Sequence, residues 1–322
     1  MMNNLSLTAC SFMLKKSYTK DEYYYLNDEI CVEKEESINK YTVQKMFYAF
    51  FEKYVNAIDD EEKKKSFHCL YENTNQGETE DFYYLYAVIK SGSYGSSSDI
   101  VDNDTKKVIH KVEPNHTVEK PFYLYVVIPK DNKRVKVQKG MLFFQNVGPF
   151  GVKTITTDYM KEFFSENFNI TVICKTIASN LFIERILTKE NVSQIIMTQN
   201  HVSRDPADRL TPGYGVETRL IGKLSFTDNM WKKIKEKIDY FSKGKCNLFE
   251  FDGKNYDGLK LNVNIGGRNR IINMNNIENL SLIEGIPDLI QDVDGHAKKE
   301  LLLKHFNKVA VEYLKEMVLQ IN

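Results

Sequence analysis

The chain has 322 residues and equal numbers of basic and acidic side chains, 44 of each. The balance is uneven: residues 1–128 hold 15 Lys+Arg against 21 Asp+Glu, net −6, and residues 129–322 hold 29 against 23, net +6. At 42% hydrophobic residues the composition excludes a disordered chain, and the length exceeds what one core fills, so two domains are expected.

No apolar run approaches the ~18 residues of a membrane helix, which argues against a membrane partner. The five cysteines (Cys10, Cys31, Cys69, Cys174, Cys246) are odd in number, scattered, and never in a Cys-x-x-Cys pair. That pattern argues for a reducing, cytoplasmic compartment and against a disulfide framework or a zinc cluster. Leu7-Thr8-Ala9-Cys10 superficially matches a lipoprotein cleavage box. No basic residue precedes it and the apolar stretch is short, so a buried cysteine in a first strand is expected.

In chain order, residues 5–14 read as a strand, followed by an acidic aromatic segment over 21–36. Ser37 or Thr42 is placed to cap a helix whose apolar positions run Val43, Met46, Phe47, Phe50, Phe51, Tyr54, Val55 and Ile58, ended by the 59–65 charge run. Phe82–Lys90 predicts a strand closed by the Gly/Ser turn of 91–98, and Val108–Val112 another. Phe122–Ile128 lies between two prolines and is almost wholly aromatic or β-branched, the pattern of a strand buried on both faces.

Beyond the basic loop 130–139, Met141–Val147 reads as a strand and Gly148-Pro149-Phe150-Gly151 as a turn. Thr157 or Asp158 is placed to cap a helix ending at Phe168. Strands are expected over 170–178, 192–197 and 216–226, with a short helix at 181–188 and a polar loop at 204–214. Asp228 is placed to cap a lysine-rich helix to residue 242. Further strands are expected at 248–251 and 259–265, and Gly266-Gly267 predicts a hairpin over 259–274. A final helix begins near Ala297, with Leu302, Phe306, Val309, Ala310, Tyr313, Leu314, Met317 and Ile321 on one stripe. The sum is an α+β fold of two domains, with mostly antiparallel sheets, amphipathic helices and a long C-terminal helix. The division falls into 1–168, aromatic-rich and acidic at its start, and 169–322, basic, with the hairpin and the last helix.

Three segments invite catalytic or metal readings. Gly148–Thr154 resembles a phosphate loop, but that loop needs glycines where Val147 and Val152 stand, so a tight turn is the better reading. Asp292-Val293-Asp294-Gly295-His296 suggests a cation loop. The calcium hand requires Gly and Glu where Ala297 and Leu303 stand, and Asp294 is equally suited to cap the last helix. His201, Asp205 and Asp208 can hold an ion for nuclease chemistry or be tied up in Arg204–Asp208 and Arg209–Asp205 surface pairs. No Ser or Cys nucleophile has an activating neighbour, His68, His110, His116 and His305 are isolated, and the sequence implies no cofactor.

The basic stretch is the strongest candidate. Residues 231–270 hold ten Lys+Arg and five Asp+Glu, net +5. Trp231, Ile234, Ile238 and Phe241 are spaced to face inward, with Lys232, Lys233, Lys235 and Lys237 between them. With Lys254, Lys260, Arg268 and Arg270 these residues are the expected nucleic-acid-binding set, gripping phosphates through counterion release. In the hairpin, Arg270 falls on the side of Val263 and Ile265, while Lys260, Asn262, Asn264 and Asn269 share the other side. A single exposed patch made by helix and hairpin is the expectation on which this reading rests.

The pattern Leu142-Phe-Phe-Gln-Asn-Val-Gly-Pro-Phe-Gly-Val-Lys-Thr154, with Ser203-Arg-Asp-Pro-Ala-Asp-Arg209 and Asp294-Gly-His296, resembles uncharacterised bacterial proteins of mobile elements and phage defence. The overall layout is more remotely similar to Rex-type phage-exclusion proteins, which bind DNA. The resemblance implies an intracellular anti-phage role with a nucleic-acid ligand, and no catalytic residue. The expectation is therefore a non-enzymatic protein that binds nucleic acid, DNA foremost, as a homodimer; the final helix is able to pair with its twin, with packing on its own domain as the default. The alternatives are a metal-dependent nuclease using Asp205 and Asp208 or Asp292 and Asp294, and a scaffold that senses a phage or host defence protein.

Overall fold

The computed structural model describes residues 5–34, 37–132, 136–148, 150–177, 187–188, 190–199, 216–221, 226–242, 249–251, 253–265, 268–274, 283–287, 290, 292 and 296–319. The chain divides into two compact units, Met1–Lys175 with Ile283–Asn322, and Thr176–Leu282. Among the described residues, mostly antiparallel sheet with four helices bears out the α+β expectation.

The first unit contains β1 (Leu5–Lys16), β2 (Ile30–Lys34), β3 (Ser37–Tyr41), α1 (Val43–Lys53), β4 (Ile58–Asp60), β5 (Lys65–Glu78), β6 (Phe82–Ser93), β7 (Ser98–Val101), β8 (Val108–Val112), β9 (Lys120–Pro129), β10 (Gly140–Val147), β11 (Phe150–Gly151), α2 (Lys153–Phe168) and β12 (Ile170–Thr176). The second contains β13 (Val192–Gln199), β14 (Val216–Ile221), α3 (Asp228–Ser242), β15 (Phe249–Phe251), β16 (Lys254–Tyr256), β17 (Gly258–Ile265) and β18 (Arg268–Asn273). The chain then returns to the first unit with β19 (Ile283–Gly285) and α4 (Lys299–Leu319).

The large sheet runs β12-β1-β10-β9-β6-β5-β4, with β11 paired to β10 and β19 to β1. Its centre explains the unbroken aromatic and aliphatic runs at 122–128 and 141–144, since helices cover both faces. On one face Phe12 meets Phe47 of α1 at 5.5 Å between ring centroids, and Phe47 meets Phe164 of α2 at 5.4 Å. On the other, Phe306 of α4 lies 5.3 Å from Tyr125 of β9 and 6.3 Å from Phe143 of β10. Alternation divides the two sets: Phe143 pairs Tyr125 across the ladder, while its neighbours Leu142 and Phe144 pair Val126 and Leu124.

The helix boundaries differ in detail from the expected ones. Thr42 does cap α1, its hydroxyl accepting from the Lys45 N–H at 3.3 Å, and Val43, Met46, Phe47, Phe50 and Phe51 form the buried stripe. The helix stops at Lys53, and Ile58, expected on the stripe, opens β4 instead. α2 begins at Lys153, ahead of the expected caps Thr157 and Asp158, and ends where Asn169 turns left-handed at φ 55°. Thr157 is buried within it and donates to the Thr154 carbonyl at 3.0 Å.

The expected division at 168/169 is corrected at the chain's end. α4 belongs to the first unit because Leu302, Phe306, Val309, Ala310, Tyr313 and Leu314 are buried, with Phe306 and Tyr313 against the aromatic face of the large sheet. That stripe is therefore occupied by the helix's own unit, the default expected for it, and these residues leave no free surface for self-pairing.

Candidate nucleic-acid interface

All eight predicted binding residues fall in the second unit, Thr176–Leu282. Its sheet runs β14-β13-β17-β18, and an apolar cluster joins Ile195, Met197, Leu259, Leu261, Val263 and Ile272 of the sheet to Trp231, Ile234 and Ile238 of α3. The inward spacing read for Trp231, Ile234 and Ile238 is borne out. The helix is capped one residue earlier than expected: the Thr227 side chain accepts from Met230 N at 3.4 Å and its carbonyl from Trp231 N at 2.8 Å. Asp228 instead places a carboxylate in the first turn, where the helix dipole favours it.

With the apolar stripe inward, Lys232, Lys233 and Lys237 are exposed and Lys235 is half-buried at the stripe's edge. Successive residues turn by about 100°, so Lys232, Lys233 and Glu236 occupy the outermost arc while Lys235 and Lys237 lie on opposite flanks. Lys237 is fixed in place, since its ammonium donates to the Glu250 carbonyl at 2.8 Å. Glu250 pairs Asn255, and the adjoining pair is Phe251 with Lys254, so this bond brings one flank of α3 beside the small β15–β16 hairpin. Lys254 on that hairpin is exposed.

The expected hairpin pairs in the predicted register. Val263 stands opposite Arg270, Ile265 opposite Arg268, and Asn264 opposite Asn269. Cross-strand partners share a face, so positions 268 and 270 fall on the face of Leu261 and Val263, which α3 covers further along. Lys260, Asn262 and Asn264 fall on the opposite face with Asn273 and Ile271. The single patch expected from helix and hairpin is thus corrected for Lys260. The sheet lies between the outer arc of α3 and the amide-rich face that carries Lys260, because alternation and burial of the apolar set send them to opposite sides.

That second face also holds a cation the sequence reading passed over. Ile196 pairs Arg219 on one side and Lys260 on the other, and it is buried although it stands outside the unit's main apolar cluster. Long cationic side chains flanking an aliphatic residue cover it with their methylene stems. The signal was present in the sequence as Arg219 at an alternate position of a strand. Asn262 lies between Gln194 and Ile271 in the register, and its side-chain oxygen is buried without a hydrogen-bond partner among the described residues.

The metal readings gain no geometry. His201, Asp205 and Asp208 lie outside the described residues, as do Arg204, Arg209 and Asp294. Asp292 is exposed, and its N–H donates to the His296 carbonyl at 2.7 Å in a turn before α4. Among the described residues no three His, Cys, Asp or Glu side chains are grouped to hold an ion. The glycine segment after β10 is the expected turn: Asn146 pairs Gly151 and Val147 pairs Phe150, with Gly148 at φ 59°.

One cluster in the first unit joins a histidine read as isolated to two partners. The Ser66 hydroxyl donates to Glu119 Oε1 at 2.7 Å, and the same oxygen lies 3.4 Å from His68 Nδ1. The carboxylate sits between hydroxyl and imidazole, so the imidazole is not placed to take the serine proton. The contact instead ties the segment ahead of β9 to β5. An open groove of about 590 Å³ in the same unit is lined by Lys45, Tyr48, Gln76, Tyr83 and Tyr84 among others, and its Glu78 is already paired with Lys130 at 2.9 Å.

No helix among the described residues is long and apolar enough to cross a membrane. Compared with protein-family models, with curated proteins and with solved structures, the chain gives no significant match.

Proposed function

We propose that residues 176–282 bind nucleic acid without catalysis, and that the phosphate grip is made by Lys232, Lys233 and Lys237 of α3 together with Lys254 of the β15–β16 hairpin. The observation that carries this reading is the Lys237–Glu250 hydrogen bond, which sets the basic flank of the helix against a hairpin presenting a further exposed lysine. Among the described residues none of Lys232, Lys233 and Lys254 is in an ion pair, so no described carboxylate neutralises their charge. Exposed ammonium groups on ordered elements release phosphate counterions when they bind, and this gives an affinity that is blind to sequence and sensitive to salt.

Lys260 and Arg219 belong to the other face and are assigned no part in this grip. Lys235, half-buried, contributes less than its neighbours. By register, positions 268 and 270 share the face of Val263 and Ile265, and the proposal assigns Arg268 and Arg270 no contact of their own. An anti-phage setting is part of the proposal and rests on the resemblance carried by residues 142–154, 203–209 and 294–296.

The test is fluorescence anisotropy with labelled duplex and single-stranded DNA and RNA over a salt series. Four phosphate contacts predict a slope of log K on log salt of about −3.6 for duplex DNA, and about −2.8 for single strands. Replacing Lys232, Lys233, Lys237 and Lys254 with Ala is expected to remove most of that slope. Equal binding by the folded variant would refute the proposal.

A further inference from the structure

We propose that the groove between α1 and the β5–β6 pair of the first unit is a binding site for an uncharged saccharide. The site is separate from the nucleic-acid reading of residues 176–282 and does not depend on it. Its space is about 590 Å³, within the range of small-molecule sites. Among the described residues that line it none is aliphatic, so it offers no seat to an apolar molecule.

The walls follow from periodicity. On α1 the buried stripe faces the sheet, and at about 100° per residue Gln44, Tyr48 and Lys45 follow one another along one flank. Gln76 pairs Leu85 and Glu78 pairs Tyr83, so alternation sends Gln76, Glu78 and Tyr83 to the face that α1 covers. Gly77 stands between them, and the Tyr84 side chain lies over it: a Cβ there would be 2.3 Å from the Tyr84 hydroxyl oxygen. These parts are held before a ligand arrives. Tyr84 stacks on Tyr125 with centroids 5.3 Å apart. The Lys130 ammonium donates to Glu78 at 2.9 Å and to the Thr79 carbonyl at 2.6 Å, and it lies 4.8 Å from the centre of the Tyr83 ring.

Chemistry and charge select the ligand. The polar ends of Gln44, Lys45, Tyr48, Gln76, Tyr83 and Tyr84 have no hydrogen-bond partner among the described residues. Each carboxamide donates and accepts at once, which suits neighbouring hydroxyls, and each phenol sets a polar tip on an apolar ring that packs on the C–H face of a sugar. Burial raises the Tyr48 hydroxyl above its ordinary value, so it stays a donor at neutral pH. Lys45 stands against an acidic rim: Glu78 is offset by Lys130, but the adjoining turn adds exposed Glu80 and Asp81. A field of that sign gives a phosphate group no net attraction. A peptide strand is disfavoured as well. β4 pairs β5 only over residues 65–67, but beside the groove the Asn75 side chain accepts from Gln76 N at 2.8 Å and takes up a backbone donor that strand addition needs.

The experiment is saturation-transfer-difference NMR of the full chain with cellotriose, maltotriose and chitotriose, and with AMP as the anionic arm. At least one trisaccharide is expected to receive transfer. Gln44→Ala/Gln76→Ala is expected to weaken that binding by about tenfold or more through lost hydrogen bonds, with an unchanged melting temperature. Tyr48→Phe, which keeps the ring and loses only the hydroxyl, is expected to weaken it too. Lys232→Ala/Lys233→Ala/Lys237→Ala/Lys254→Ala is expected to retain it, which separates this site from the nucleic-acid reading. No transfer to any of the three trisaccharides would overturn the proposal, as would transfer undiminished in both groove variants. Transfer to AMP that Gln44→Ala/Gln76→Ala removes would overturn it in favour of a nucleotide.

Discussion

Phe306 of α4 lies parallel to Phe143 of β10, with ring planes 17° apart and centroids separated by 6.3 Å, and both side chains are fully buried. The two residues are 163 positions apart in sequence. Their contact joins two stretches of the first unit that are separated in sequence by the second, Thr176–Leu282.

Phe306→Ala removes a ring that also meets Tyr125 at 5.3 Å, and it is expected to cost about 3–5 kcal/mol of stability. Chemical denaturation followed by circular dichroism measures it. A loss below about 1 kcal/mol would mean that α4 does not complete this core.

Gly140 opens β10 opposite Phe12, and a Cβ there would stand 2.3 Å from the Phe12 ring and 2.9 Å from the Val127 carbonyl oxygen. Backbone on one side and a packed ring on the other leave no room to yield. Gly140→Ala is expected to destabilise by about 1–3 kcal/mol through overpacking. A neutral or stabilising outcome in thermal melts would contradict this register of β1 on β10.

Burial pushes the Cys69 and Cys174 thiols up to about 12 and the Tyr54 hydroxyl up to about 12, and it raises Tyr125 as well. In the unfolded chain these groups ionise near 9 and 10. Above those values the unfolded state binds fewer protons than the folded one, so stability falls as pH rises. The contribution is whole below pH 9, and thermal midpoints are expected to decline from pH 9 towards 12. At neutral pH, Cys69 and Cys174 are expected to resist alkylation in the native protein while exposed Cys31 reacts, which peptide mass mapping reads directly.

The parts of this fold that were legible in the sequence are those where periodicity and burial agree. Phe122–Ile128 reads as a doubly buried strand because both its faces are covered, Met141–Val147 reads as a strand, and Thr42 with the Val43–Phe51 stripe announces α1. β5 was not legible, and no strand is expected over 65–78. Phe67, Cys69 and Leu70 carry a signal, but Glu72–Glu78 are polar and exposed, and the ladder shifts between Leu70 and Asn75. Pairing with β6 holds that half of the strand, and no propensity records it. β7 is likewise missing from the expected strands, since its side chains meet solvent, and only its first residue, Ser98, falls in the expected Gly/Ser turn.

The binding residues were legible singly but not as a surface. Alternation predicted that Arg270 shares a face with Val263 and that Lys260 shares one with the asparagines, and the register agrees. The sequence could not show that α3 covers one of those faces, which sends its lysines and Lys260 to opposite sides of the sheet. It also did not show that Lys237 would meet Glu250, a contact made through a backbone carbonyl and therefore independent of residue type.

This separation of faces makes its own prediction. Arg219→Ala/Lys260→Ala is expected to leave both affinity for a 20-mer duplex and its salt dependence within error of wild type. A loss comparable to that of the α3 lysines would move the interface to the amide-rich face.

The most direct measurement compares the salt slope of DNA binding for wild type with that of Lys232→Ala/Lys233→Ala/Lys237→Ala/Lys254→Ala, with Trp231 fluorescence confirming that the second unit is folded. The account predicts a slope smaller by about one for each phosphate contact removed, with affinity falling in step at low salt. A slope and affinity unchanged in the folded variant, or no binding by wild type to any DNA or RNA at low salt, would contradict it.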